Sequence, residues 1–434
     1  MARSLAPLFS LLLATSILLI GNGLQGTLIP VRGDIDQFSE MSLGLIGAAY
    51  FAGFVFGCWH CPRVVQSVGH IRSFAVFASL ASATPLVHPI VPDETVWFIL
   101  RALSGYCFAG LYMVIESWIN ETSTNETRGR LLGVYLVVNL LSVTAGQLLL
   151  NLSPPEGFVL FAVAAILTSV ALVPVSLTSS VQPAPIESTK IDFKGLWAVT
   201  PVSTLGCFIV GMTSGPFWTL APVYARQAGL DIAGISYFMT AAIIGGAAAQ
   251  LPLGRLSDRM DRRLVIAGIA VGGAVGAVLL AVFQMASNLV ALLGLSTFFG
   301  FFALTLYSIC MAHANDHAKP SQFVTVSSGL LLLYALGAVV GPLIISFVLP
   351  YTGTWFVFGF AAIFYVLFTV FVVLRIMVKA PVPEEQREDF VAVPISRTGP
   401  TPYELDPRGE EGEEREGELG QGDLDEAAEL GGRA

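Results

Sequence analysis

Charge is scarce in this chain. Only 12% of its 434 residues are Asp, Glu, Lys or Arg, and only four are lysines. Soluble chains carry about 25%, so water is excluded as the solvent for most of this surface. Cysteine is scarce too. The five, Cys58, Cys61, Cys107, Cys207 and Cys310, all fall in or at the ends of apolar runs. An odd count in such places excludes a disulfide framework. No catalytic triad, phosphate loop or metal-ligand set is present, which argues against an enzyme. No cofactor and no nucleic-acid partner are expected.

What is abundant is apolar. Hydrophobic residues make up 54% of the chain and mean hydropathy is +0.73. Runs of about 20 such residues recur, each long enough to cross a bilayer as a helix. Twelve are counted. The first six cover roughly residues 5–28, 43–59, 71–88, 96–119, 131–152 and 158–177. The second six cover roughly 196–223, 232–253, 264–285, 289–312, 323–349 and 355–377. The first run is too long for a signal-peptide core and reads as a retained helix.

The connecting segments alternate in charge. One set holds 14 Lys and Arg residues and the other only Arg32 and Arg226. The positive-inside rule then puts both termini in the cytoplasm of a multi-pass protein of the inner (plasma) membrane. The net charge of −9 is a property of the end of the chain, where residues 380–434 hold 16 acidic and 5 basic residues. That stretch, rich in Pro, Gly and Glu, is expected to be disordered. Asp34 and Asp36, in the first outer loop, are expected to be solvated.

The two halves resemble each other. A shift of 192 lays Thr27–Val31 over Thr219–Val223, and Pro62–Ile71 over Gly254–Arg263. At a shift of 195, Gly146 falls on Gly341 and Gln147 on Pro342. Such parallel repeats are a transporter design. The expected domains are 1–178, a six-helix bundle; 179–195, a cytoplasmic linker; 196–379, a second six-helix bundle; and 380–434, the acidic tail.

Few polar groups sit within the runs, and each costs free energy there unless it lines water, binds something or bonds another helix. Arg101 is the one basic residue at depth, although it could also snorkel to the interface. Glu116 is the one carboxylate inside a span, about 22 Å further along the same helix. A buried carboxyl of this kind can carry a proton. An interfacial carboxylate is the competing reading. Asn22 and Gln25 share one face of the first helix, among Gly21, Gly23 and Gly26, a stretch able to bend or unwind. Asn139 and Gln147 share a face of the fifth. Trp218, with Thr213, Ser214 and Thr219, lies in the seventh, and Tyr307, with Thr305 and Ser308, in the tenth.

Pro252-Leu-Gly-Arg-Leu-Ser-Asp-Arg-Met-Asp-Arg-Arg263 is expected to form a tight basic turn between the eighth and ninth runs, with Gly254 letting a neighbouring helix pass close. Here Gly254, Leu256, Asp258, Arg259, Arg262 and Arg263 resemble the G-x-L-x-D-R-x-G-R-R loop of the major facilitator superfamily, with Asp261 replacing the second glycine. The first-half counterpart keeps Gly69 and Arg72 but has Pro62 and Gln66 in place of glycine and aspartate. Arg101, Gly105 and Gly110 resemble that family's fourth-helix motif, where the arginine is associated with proton coupling or an anionic substrate. Gly337, Gly341 and Pro342 resemble the G-x-x-x-G-P motif that drug antiporters carry in the fifth helix. Here the fifth helix has Gln147 at the proline position, which leans away from drug export. The runs Val68–Arg72, Glu116–Trp118 and Ala312–Asp316 resemble the YcaD-like bacterial group.

The resemblance implies an all-α membrane protein, twelve helices in two bundles, with a site at midplane depth and alternating access. The expected function is secondary transport of a small, partly apolar organic molecule, proton-coupled, by a monomer. The expected substrate contacts are Asn22, Gln25, Arg101, Asn139, Gln147, Trp218 and Tyr307, with Glu116 and Arg101 coupling protons. Gly254, Asp258, Arg259, Arg262, Gly69, Arg72, Gly341 and Pro342 would gate, Asp258 latching onto Gly129–Arg130. An uncoupled facilitator, a receptor signalling through the acidic tail, and a membrane enzyme using Cys58 and Cys61 are the alternatives. His313 and His317 with Asp316 could hold a metal, but read better as interfacial loop residues.

Overall fold

A computed structural model describes residues 2–121, 125–176, 193–283, 288–318, 323–378 and 390. Nearly all of the acidic tail and the linker therefore lie outside the described residues. The described chain is helical: α1 (Ala2–Ile35), α2 (Glu40–Val68), α3 (His70–Val87), α4 (Glu94–Glu121), α5 (Asn125–Leu148), α6 (Val159–Val170), α7 (Leu172–Ser176) and α8 (Phe193–Val199). There follow α9 (Pro201–Gln227), α10 (Ile232–Arg259), α11 (Arg262–Val282), α12 (Leu289–Ala303), α13 (Leu306–Asn315), α14 (Phe323–Thr352) and α15 (Phe356–Val378).

Polar residues start these helices where the apolar runs begin. Ser39 caps α2 by accepting from the Ser42 amide, Asp231 caps α10 through Gly234, and Asn288 caps α12 through Ala291. Each side chain satisfies an amide that the first turn leaves open. Gly69, at φ 86°, sits at the reversal between α2 and α3, where a side chain would be strained.

Among the described residues ten segments are long and apolar enough to cross a membrane. The runs expected at 71–88 and 196–223 are helices as well, α3 and α9, but fall outside those ten. α3 carries His70 and Arg72, and α9 is interrupted by Ser, Thr, Gly and Pro. α9 is buried along almost its whole length and so needs no lipid-compatible face. The outer surface of the molecule is apolar: Leu141, Val282, Phe347 and Leu374 are all exposed. Asn22, Gln25, Arg101, Glu116 and Gln147 are all buried. Apolar residues out and polar residues in is the distribution a bilayer solvent selects.

Several helices outrun their apolar segments. α1 continues past the expected end at residue 28 to Ile35, placing Arg32 and Asp34 on the helix. The expected loop at 252–263 is mostly helix. α10 runs through Pro252 to Arg259, α11 begins at Arg262, and only Met260 and Asp261 make the turn. With 28 residues, α10 spans about 42 Å, so its last turns reach beyond a hydrocarbon core of about 30 Å. The expected tenth span is two helices, α12 and α13, broken at Leu304–Thr305.

Close helix contacts repeat along the chain. A methyl on Gly53 of α2 would meet the Ala102 carbonyl oxygen of α4 at 1.9 Å, and one on Gly245 of α10 would meet that of Thr297 of α12 at 2.1 Å. Gly146 of α5 lies against the Ile20 carbonyl of α1, and Gly341 of α14 against that of Met212 of α9. In both pairs, each partner in the first contact has its counterpart 192 or 195 positions later in the second. The offsets seen in sequence thus recur as equivalent backbone contacts, with small residues allowing the approach.

Candidate functional site

The polar centre is built around α1. Asn22 donates from Nδ2 to the Tyr112 hydroxyl of α4 at 2.7 Å and to the Tyr50 hydroxyl of α2 at 3.2 Å. The Arg101 guanidinium lies 4.2 Å from the Tyr50 ring centroid and is buried. An arginine on an aromatic face inside the fold is held by cation–π attraction, so Arg101 does not snorkel outward. Arg101, Tyr50 and Phe51 line a small cavity with Trp218 and Thr219 of α9. Its free space of about 20 Å³ has room for a water and little more.

Gln25, one turn after Asn22, is fully buried, and neither side-chain polar atom has a partner among the described residues. The glycines around these residues do not unwind α1, which stays helical throughout. They let it pack closely: a methyl on Gly23 would reach the Val143 carbonyl oxygen at 3.0 Å.

A second polar cluster lies further along α4. Glu116 is fully buried and accepts from the Tyr135 hydroxyl of α5 at 2.8 Å. Tyr112 precedes Glu116 by one helical turn, so the two clusters are neighbours along α4. Tyr50, Tyr112 and Tyr135 thus join the sequence candidates to one another, although none stood out from sequence. Tyr112 at i−4 of Glu116 and Tyr135 at i−4 of Asn139 are the available signal, and each also fits an ordinary core aromatic.

Other candidates are placed elsewhere. Gln147 takes a hydrogen bond from Thr27, and its backbone carbonyl accepts from Ser236 of α10 at 2.7 Å. It ties helices together and does not line the small cavity. Asn139 is buried on α5, one turn from Tyr135. Tyr307 stacks edge-on against Tyr334 at 5.2 Å and also lies outside the cavity lining.

One end of the molecule is tied shut between α1–α5 and α9–α14. Arg226 pairs with Asp34, Gln227 reaches Asp34 at 3.3 Å and Glu40 at 3.5 Å, and Asn151 reaches Ser236 at 3.1 Å. Asp36 pairs with Arg32 at 2.8 Å. Asp34 and Asp36 are therefore engaged in ion pairs, in contrast to the solvated role expected for them. Extension of α1 to Ile35 brings them to their partners.

At the opposite end the basic turn is organised by Arg262, which is buried. Its Nε meets Asp316 at 2.7 Å, and its Nη1 meets Ser257 at 2.9 Å and Asp258 at 3.1 Å. Asp316, at the end of α13, thus serves an arginine, and His313 is buried within α13 and is not the interfacial loop residue expected. Asp261 chelates Arg263 and caps α11. Burial opposes its charge, yet the Arg263 bonds hold its carboxyl below the usual value. Arg259 and Arg72 are exposed. The expected partners of Asp258, Gly129 and Arg130, have side chains outside the described residues. The atoms nearest to Gly254 do not come from a neighbouring helix. The ring of Phe390 covers this glycine, 2.2 Å from where a methyl would stand. One residue of the stretch expected to be disordered is therefore packed. Gly341 abuts Met212, and the Pro342 carbonyl approaches Gly44 of α2.

The Major Facilitator Superfamily family model matches residues 11–204 and again residues 203–401. The chain belongs to the major facilitator superfamily. It is a multi-pass membrane protein of transporter type and not an enzyme. An uncharacterized MFS-type transporter of Yersinia pestis (strain Pestoides F) is 26% identical over 348 residues, covering 78% of this chain and 88% of the relative. The uncharacterized MFS-type transporter YcaD of Escherichia coli O139:H28 is 26% identical over 338 residues, covering 77% and 87%. The fold resembles that of the nucleoside transporter NupG, with a TM-score of 0.69 at 12% identity over 86% of this chain and 99% of that one. It also resembles a D-xylose-proton symporter, with a TM-score of 0.65 at 16% identity over 87% and 98%.

Proposed function

We propose that this facilitator moves a small organic solute by alternating access between two six-helix bundles, residues 1–178 and 196–379, with α3 and α9 completing twelve spans. The observation that carries this reading is the buried network of Asn22, Tyr50 and Arg101, with Asn22 about 18 Å along α1 from Asp34 at the tied end. A cation, an amide and aromatic faces at this depth form a polar site in an otherwise apolar protein. The cavity is narrow because the Asp34 end is tied shut, and release of those ties would open it. Asn22, Gln25, Arg101 and Trp218 contact the solute. Asn139, Gln147 and Tyr307 lie behind them and enter only in other states.

Coupling to protons runs through Glu116. The Tyr135 hydroxyl donates to it and fixes the orientation of the carboxyl that would gain and lose the proton. A nucleoside transporter and a proton symporter among proteins of the same fold support solute transport at the level of fold alone. The Asp34 end faces outward and the basic turn faces the cytoplasm of the inner membrane, because basic segments are retained inside. The protein functions as a monomer.

Purified protein in liposomes tests this directly, after a thermal-shift screen of metabolites has supplied a ligand. Flux of that ligand, lost in Asn22→Ala and Arg101→Ala, supports the proposal. Binding without flux would instead indicate a receptor. Labels at positions 190 and 260 must report the same compartment.

A further inference from the structure

α5 and α10 are neighbours at the tied end. Ser236, near the start of α10, donates to the Gln147 carbonyl near the end of α5 at 2.7 Å, and Asn151 donates to Ser236 at 3.1 Å. α5 thus arrives at the tied end and α10 leaves from it. The start of α5 and the last turns of α10 therefore share the basic-turn end. Closing that end means bringing these two helix ends together.

Helices of this protein approach one another on glycines, because a missing side chain lets backbones come close. On α10 itself, Gly245 lies against the Thr297 carbonyl oxygen of α12. Gly254, further along α10, is buried as well. The three atoms nearest to where its methyl would stand all belong to the Phe390 ring, at 2.2, 2.5 and 2.9 Å. Phe390 is half-buried and, like Leu253, packs against the apolar core. A ring resting on a glycine holds a helix backbone off by one further carbon–carbon contact, about 3.5 Å.

The occupant also suits the surface in charge. Arg255 and Arg259 are exposed one turn apart on α10, beside Gly254. Glu388 and Asp389 directly precede Phe390 in the sequence. Phe390 comes twelve residues after Val378, the end of α15, a length of chain that can span up to about 40 Å.

We propose that Phe390 is a wedge carried by this chain, seated on Gly254, that keeps the last turns of α10 from meeting the start of α5 and so holds the basic-turn end open. The wedge acts only in a protein that alternates between two states, as proposed above. Whatever lifts Phe390 off Gly254 frees that end to close, which gives the segment after α15 a regulatory role.

Full-length protein with nitroxide labels on Gly133→Cys and Leu256→Cys, both exposed positions, is measured in nanodiscs by double electron–electron resonance. The parent without these two substitutions gives the labelling background. Two separations are expected, a long one for this structure and a short one for the basic-turn end closed. Phe390→Ala should raise the short population about fivefold, the ratio that half-burial of a Phe side chain supplies. Phe390→Leu keeps an apolar side chain over Gly254 and should stay close to the parent. Phe390→Ser repeats the removal if Phe390→Ala folds poorly. Arg255→Gln should shift the populations the same way by less, since an exposed pair contributes little. Asp34→Asn, which loosens the opposite end, is the control for the alternation itself. A larger short population in Asp34→Asn, with none in Phe390→Ala and Phe390→Ser, would overturn the wedge and leave alternating access standing. One unchanged separation in every variant, Asp34→Asn included, would overturn both.

Discussion

Arg226 of α9 forms an ion pair with Asp34 of α1, and the two residues stand 192 positions apart, the offset that relates the halves of the sequence. The contact thus joins equivalent positions of the two repeats. A tie between equivalent points sits on the pseudo-two-fold axis that relates the halves, and at one end of that axis it holds that end shut without blocking the other.

Asp34→Asn should therefore loosen this end. The pair is partly exposed, so its loss is worth about 1 kcal/mol or less. That corresponds to up to about a fivefold shift toward the state open at this end. Alkylation of a cysteine placed in the cavity at Thr219 measures the shift. An unchanged labelling rate from the outer side in Asp34→Asn would show that the pair does not hold the end closed. High salt should raise labelling of the parent protein and have less effect on the variant.

Arg101→Lys tests the guanidinium itself. Lysine keeps the charge but loses the planar face that lies on Tyr50. Transport should fall about five- to thirtyfold if the planar group positions solute, the scale of losing one cation–π and hydrogen-bond contact of about 1–2 kcal/mol. Tyr50→Phe keeps the ring and removes the hydroxyl that accepts from Asn22, and should give a smaller loss. Kinetics of solute uptake in liposomes measure both.

These contacts show what sequence makes legible. The apolar runs and the scarcity of charge within them follow from bilayer solvation, a one-dimensional property, and they single out Arg101, Glu116 and Asn22 as candidates while leaving the snorkelling and interfacial readings open. The partners of those residues are not legible. Tyr50, Tyr112 and Tyr135 are brought together by the packing of α1, α2, α4 and α5, and a tyrosine in an apolar run has no periodic signature of its own. Helix ends differ from expectation for a related reason. Polar residues at 252–263 and near 34 mark where lipid ends, whereas backbone hydrogen bonding carries α10 and α1 further.

Glu116→Gln should abolish the response of transport to a pH gradient while solute exchange persists. The amide preserves the shape and can still accept from Tyr135, but it cannot release a proton. Tyr135→Phe should lower gradient-driven uptake while exchange stays measurable, because it removes the hydroxyl that orients the Glu116 carboxyl. Gradient-driven uptake that survives in Glu116→Gln would remove this residue from the coupling step.

Gly53→Ala should destabilise the fold strongly. The added methyl would lie 1.9 Å from a backbone oxygen of α4, which cannot move without separating α2 from α4. Overpacking of this kind costs about 1–3 kcal/mol or more. Gly268→Ala is the matched control. Nothing lies within 4 Å of its new methyl, and alanine favours a helix interior by up to about 1 kcal/mol. Thermal unfolding in detergent should fall for the first and hold or rise for the second.

Phe390→Ala and Gly254→Ala should disturb one and the same contact. The first removes the ring that covers Gly254. The second places a methyl 2.2 Å from that ring and must displace it, which a side-chain tip can accommodate. Each should lower the unfolding midpoint modestly, and the double variant should be no worse than the more damaging single one. Distant independent sites add within about 0.5 kcal/mol, whereas residues in contact do not. Additive losses would show that Phe390 does not rest on Gly254 in solution. Non-additive losses would tie the segment after α15 to the turn between α10 and α11, the same turn in which Arg262 gathers Asp258 and Asp316.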